Sequence, residues 1–240
     1  MNTQDYEMRE FAMEEQLAAS AAFPALMRKV YVWMTLALAI TGFTAYAVAT
    51  TPGLMQLVLG NSLVFWGLIL AEFVLVFSVT GAINRLSLST ATLLFVLYSV
   101  VNGATLSVIF LAYSMSSIAS VFFITAGTFG TMAFIGYTTK TDLSSMGKIL
   151  FMALIGLIIA SVVHLFVRNS MLDLIISYVG VLIFVGLTAW DTQKIKRMLL
   201  EAPDAGETSQ KVALLGALSL YLDFVNLFIY LLRIFGNRND

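Results

Sequence analysis

Apolar residues along this chain gather into seven long runs: Val30–Ala49, Ser62–Ile83, Ser89–Tyr113, Ser116–Tyr137, Ile149–Val167, Leu172–Trp190 and Ala213–Leu232. Each is close to or beyond the roughly 20 helical residues that cross a hydrocarbon core. Hydrophobicity within them is continuous and not alternating, which excludes a β-barrel. Backbone groups in lipid must pair locally, so each run is predicted as a helix. The breaks carry turn chemistry: Thr51-Pro52-Gly53, Asn84-Arg85, Thr138 to Gly147, Arg168-Asn169 and Pro203 to Ser209. Short connections predict antiparallel hairpins and leave no room for a second domain. The expected fold is therefore an all-α integral membrane protein, one seven-helix domain over residues 23–240. A re-entrant seventh segment is the alternative to seven full spans. Ahead of the domain stands a polar tail, residues 1–22, with Asp5, Glu7, Glu10, Glu14 and Glu15. It is expected to be solvated, and it lacks the basic start and short apolar run of a secretory signal.

Composition narrows the function. Of 240 residues, 60% are hydrophobic and 11% charged, too little polar material to cover a water-facing surface. A net charge of −1 without a basic tract argues against a nucleic-acid partner. The lack of cysteine and the single histidine, His164, exclude disulfides, thiolate chemistry and multi-His metal sites. No cofactor and no enzymatic activity are expected. Arg28, Lys29, Arg85, Lys140, Lys148, Lys194, Lys196, Arg197 and Lys211 fall on one side of the bundle; Arg168, Arg233 and Arg238 fall on the other. The excess predicts a cytoplasmic N-terminus. Ala126 with Gly130, and Gly156 with Ala160, have the spacing of small-residue helix contacts.

Charged groups at membrane depth are costly and therefore mark candidate sites. Glu72 lies within the second run, Asp191 at the inner end of the sixth and Asp223 in the middle of the seventh. Gly216, Ser219, Asp223, Asn226 and Tyr230 recur at steps of three and four, so they share one helix face. Such a stripe is expected to face the bundle interior or a wet cavity. The third run repeats the pattern with Ser99, Asn102 and Thr105. Arg85 lies roughly 220° round the helix from Glu72 and so is available to a carboxylate elsewhere. His164 is expected to be a hydrogen-bonded packing residue. Asp191 and Asp223, if they meet, share a proton, because two adjacent carboxylates cannot both ionise cheaply. Depth counting opposes contact. Asp191 is about 9 Å along its helix from Arg197, and Asp223 about 18 Å from Lys211.

At these residues the chain resembles the Bax inhibitor family, in particular its bacterial inner-membrane branch. The resemblance rests on Gly136-Tyr137-Thr138-Thr139-Lys140-Thr141-Asp142-Leu143-Ser144 and on Val185-Gly186-Leu187-Thr188-Ala189-Trp190-Asp191-Thr192-Gln193. It rests also on Gly216-Ala217-Leu218-Ser219-Leu220-Tyr221-Leu222-Asp223-Phe224-Val225-Asn226-Leu227-Phe228 and on Leu232-Arg233-Ile234-Phe235-Gly236. It covers about Phe23 to Arg238; the acidic tail matches nothing. The resemblance implies a central last helix surrounded by the other six, and a buried di-aspartyl unit, Asp191 and Asp223, that senses pH. It implies a calcium leak controlled by that unit, with Arg85 as its latch and Glu72 on the ion path.

The expected function is thus a pH-sensitive calcium leak of the inner membrane. Calcium ions and protons are its partners within the lipid bilayer, with Asp191, Asp223 and Arg85 as gate. Glu72, Asn102, Asn226 and Ser219 line the path, and the two aspartates are transient calcium ligands. The alternative is a non-conducting regulator of a membrane protease or other partner, with the acidic tail as its handle. A proton-coupled antiporter is a further alternative. An intramembrane aspartyl protease is disfavoured: Tyr221-Leu222 stand where that class has Gly-x-Gly before its aspartate, and none of Pro24, Pro52 and Pro203 lies in a helix near the acids.

Overall fold

The structure, a computed structural model, describes residues 3–167 and 169–239, with side chains from residue 21 onward; Arg168 and the side chains of the acidic tail fall outside it. The helices are α1 (Thr3–Thr50), α2 (Pro52–Val58), α3 (Ser62–Ala82), α4 (Leu88–Leu106), α5 (Ile109–Ala112), α6 (Met115–Thr138), α7 (Ser144–Val167), α8 (Ser170–Leu200) and α9 (Glu207–Phe235). Seven stretches are long and apolar enough to span a membrane: Ala21–Thr50, α3, α4 continued by α5, α6, α7, α8 and α9. Side chains at the breaks cap the helices that follow. Asn61 Oδ1 accepts from Leu63 N at 3.0 Å, Ser87 Oγ from Thr90 N at 3.1 Å and Asn169 Oδ1 from Met171 N at 2.8 Å, which satisfies otherwise orphaned amides.

The helices overrun the apolar runs at their charged ends. α8 continues past Trp190 to Leu200, and α9 begins at Glu207, ahead of Ala213. Hydropathy marks the hydrocarbon slab, whereas helical hydrogen bonding persists until a breaker, here the stretch that holds Pro203 and Gly206. α1 likewise runs unbroken from Thr3 through Pro24. The backbone thus shows no boundary at residue 22, and the polar tail and first span are one helix.

The seventh span forms the core. In its most apolar window 67% of residues are buried, against 6% in α7 and 11% in α3. It packs on α8, α1, α6 and α4, while α7 packs on α8 and α3 on α4, one layer further out. Four helices, not six, thus enclose α9 closely. The outward faces carry exposed Phe43, Leu63, Phe77 and Phe166, a surface suited to lipid.

α9 crosses the whole bundle. At one end Glu207 Oε1 accepts from Leu88 N at 3.0 Å, and Lys29 Nζ donates to Gln210 Oε1 at 2.6 Å. At the other, Tyr113 and Arg238 form an isolated β-bridge, with Ser114 N donating to Asn237 O at 3.2 Å and Asn239 N to Ala112 O at 3.0 Å. Leu88 and Ala112 bound one span, so α9 runs from one of its ends to the other and is not re-entrant. Arg233, which sits against the charge bias, pairs with Asp173 at 3.5 Å and lies over the Tyr230 ring.

The close helix contacts are not at the expected small pairs. A Cβ on Gly130 or Gly156 would meet nothing within 4 Å. A Cβ on Gly136 would lie 2.1 Å from Ala189 O, one on Gly103 2.5 Å from Thr41 O, and one on Gly147 2.1 Å from the Trp190 ring. Spacing alone does not say which small residues face a neighbour.

Candidate functional site

α8 and α9 pack closely because small residues on each face large ones on the other. Gly216 accommodates Ile195, and Gly180 accommodates the Tyr230 ring, on which Phe184 also stacks at 5.9 Å. The polar stripe of α9 thus faces α8. This register sets Lys211 opposite Leu200 and not Arg197, which removes much of the gap that depth counting gave. Asp191 and Asp223 then lie within about one turn of each other, and their carboxyls meet within hydrogen-bonding reach. Depth counting failed because it took Arg197 and Lys211 as level markers.

A hydrogen bond between two carboxyls requires that one hold the proton. Asp223 is 4% exposed, and its Oδ2 has no hydrogen-bond partner. Asp191 is half-buried. The cation whose charge acts on Asp191 is Lys194, which also lies over the Trp190 ring at 5.0 Å. The pair is therefore asymmetric: one carboxyl sealed in the core, the other partly open and beside a cation.

A second polar cluster forms on the opposite side of α9. Thr105 Oγ1 donates to Glu72 Oε1, and the Asn102 side chain lies beside the Glu72 carboxyl. Tyr221 Oη donates to Asn102 Oδ1 at 2.9 Å and touches Thr41 Oγ1 at 2.7 Å, while Thr41 Oγ1 reaches Ser99 O at 2.9 Å. Two hydroxyl protons serve these last three contacts, so one contact is without a proton in any arrangement of the string. The Thr105 hydroxyl also lies 3.0 Å from Asn102 O, competing with Glu72 for its one proton, and the Ser107 hydroxyl donates to Ala104 O at 2.7 Å, where α4 gives way to the short α5.

Of the residues singled out in the sequence, Asp191 joins Asp223, and Glu72 joins Asn102. The two groups are not joined to each other, because Tyr221 and Asp223 stand about 200° apart round α9. Asn226 Nδ2 donates to Leu222 O of its own helix at 2.8 Å, and Ser219 is half-buried on the same face. Arg85 is exposed in the α3–α4 turn, and among the described residues it forms no ion pair. His164 Nε2 lies 3.2 Å from Asn169 O, a local packing contact. Sequence reasoning missed Tyr221. Its signal was available: a tyrosine deep within a membrane run needs a partner for its hydroxyl.

Comparison with known proteins places the chain. The family model described as "Inhibitor of apoptosis-promoting Bax1" matches residues 24–240. The chain belongs to the Bax inhibitor family. Relatives include the inner membrane protein YbhL of Escherichia coli K12, 49% identical over 220 residues, 91% of this chain and 94% of the relative. An uncharacterized protein of Borreliella burgdorferi is 46% identical over 214 residues, 89% of this chain and 92% of that one. Another, of Deinococcus radiodurans, is 40% identical over 233 residues, 97% and 98% of the two chains.

The stretches that carry the Bax inhibitor resemblance have physical work in the fold. Gly136 lets α6 approach the α8 backbone at Ala189. Gln193, two residues after Asp191, holds the α6–α7 loop: its Oε1 accepts from Leu143 N at 2.9 Å, and its Nε2 donates to Thr141 O at 2.8 Å. Arg197 adds an ion pair to Asp142 at 2.9 Å. The Ser144 hydroxyl and amide beside Asp142, with the Arg197 guanidinium, pull its carboxyl down to about 2.

Proposed function

We propose that this protein is a pH-sensitive calcium leak, gated by the Asp191–Asp223 pair. The observation that carries the reading is the pair itself, two carboxyls meeting between α8 and α9 with Asp223 sealed in the core. While one proton is shared, the carboxyls hold the two helices together. Loss of that proton sets two like charges side by side, a repulsion of several kcal/mol at low dielectric. That is enough to shift a closed–open balance. Raising the pH therefore opens the path.

Calcium suits the chemistry as cargo. It is a hard cation that takes oxygen ligands, six to eight of them in a tight site. Two carboxylates offer fewer, and among the described residues no three His, Cys, Asp or Glu side chains converge. Such a site passes an ion on and does not store it. Glu72 and Asn102 offer further oxygens on the far side of α9, while Ser219 and Asn226 flank Asp223 on its own face. Arg85 serves as a latch only in a state where the α3–α4 turn moves towards the pair.

The positive-inside bias favours a cytoplasmic N-terminus, and the name of the E. coli relative supports the inner membrane as its location. Calcium uptake into proteoliposomes holding the purified protein, against empty liposomes at pH 6, 7 and 8, tests this reading. Protein-dependent uptake that rises with pH is expected. No uptake at any pH, with the protein shown folded, overturns it and leaves regulation of a membrane partner as the function.

A further inference from the structure

We infer that the cleft between α1 and α6 is a binding site for an anionic phospholipid, with an acyl chain along α9 and its phosphate at Arg28 and Lys196. α1 and α6 both pack on α9, and between them lie two apolar cavities. The first, of about 520 Å³, runs from Tyr31 and Tyr137 to Leu38, Phe122 and Phe224; the second, of about 310 Å³, starts at those last three residues and ends near Tyr46 and Met115. Phe224 of α9 thus lies along the floor of both.

The first cavity fits one leaflet. Arg28 to Leu38 spans ten residues of α1, about 15 Å, half the thickness of a hydrocarbon core. The lining there is mostly apolar and aromatic, and Phe134 at its edge is exposed on the outer surface of the bundle. An acyl chain fills such a groove while covering little polar surface.

The occupant's headgroup is read from the charge at the mouth. Arg28 and Tyr31 border a further hollow that continues the first cavity past the α1 surface. Lys196 Nζ donates to Tyr137 O at 2.7 Å and lies 4.8 Å from the centroid of the Tyr137 ring, so a cation is held beside the cavity wall. Phe23 stacks on that same ring at 6.5 Å. Two cations and two tyrosines at the interface, above a chain-wide apolar slot, suit a phosphate-bearing headgroup of net negative charge. A zwitterionic headgroup brings its own cation to the same place and is disfavoured. Gly130 keeps the slot open: a side chain there meets nothing within 4 Å and would occupy the chain's path.

Native mass spectrometry of the full chain, released from mixed phosphatidylglycerol–phosphatidylethanolamine micelles, tests the site. The expected result is one retained phosphatidylglycerol, favoured about tenfold over phosphatidylethanolamine. Gly130→Trp and the double variant Arg28→Ala/Lys196→Ala should lose the retained lipid. Gly127→Trp, on the same helix with open space beside it and outside the cavities, should keep it. Equal retention of both lipids, retention by Gly130→Trp, or a dimer in place of the lipid-bound monomer overturns the proposal.

Discussion

At the scale of single residues, Tyr221 and Asp142 separate what is rigid from what titrates. Tyr221 is fully buried and ties α9 to Asn102 of α4 and Thr41 of α1. Tyr221→Phe leaves an amide oxygen and a hydroxyl without that partner. We expect a loss of about 1 kcal/mol, the usual scale for interhelical hydrogen bonds in lipid, read as a lower unfolding temperature in detergent. An unchanged midpoint would show that the string adds nothing to stability. Asp142 is exposed and held ionised, its carboxyl drawn down to about 2 by Ser144 and Arg197. A lowered value means that its contribution is present above the ordinary carboxylate range and is lost only as pH falls towards 2. The α6–α7 loop clamp is therefore flat between pH 5 and 8. Hydrogen exchange of the Thr141–Ser144 amides, corrected for intrinsic rates, should show constant protection across that window. Protection that collapses between pH 7 and 5 would move the pH sensor to this loop.

At the scale of elements, helix placement was legible and helix facing only partly so. The seven apolar runs are the seven spans because hydropathy reports directly on burial in hydrocarbon. The stripe on α9 was legible for a similar reason, since polar groups at steps of three and four cannot face lipid. Gly130 and Gly156 were misread, whereas Gly136 and Gly147 make the tight contacts; a glycine reads alike whether its neighbour is a backbone or open space. Gly136→Ala puts a methyl group against a backbone carbonyl that cannot swing away. We expect a cost of about 1–3 kcal/mol and weaker α6–α8 packing. Gly127→Ala, with open space beside it, should be neutral or slightly stabilising. Thermal unfolding of the two variants side by side checks this, and equal midpoints would mean that the α6–α8 approach relaxes at no cost.

At the scale of the whole molecule, the α8–α9 register is the feature that the sequence hid. Both helices run past the hydrocarbon boundary, so their charged ends are not level, and the meeting of Asp191 with Asp223 depends on how far each overruns. The same register turns Tyr221 towards α1 and α4 while Asp223 faces α8, which gives the bundle a titratable junction on one side of its central helix and a hydroxyl–amide string on the other. In the proposed gate, a proton shared between the aspartates is the origin of pH dependence. Asp223→Asn removes the second ionisation and, being close in shape, spares the packing. The decisive measurement is calcium flux through proteoliposomes from pH 6 to 8 for the wild type and for Asp223→Asn. A gate of this kind gives flux that rises with pH in the wild type and a flat profile in the variant; an equally steep rise in Asp223→Asn would rule the gate out.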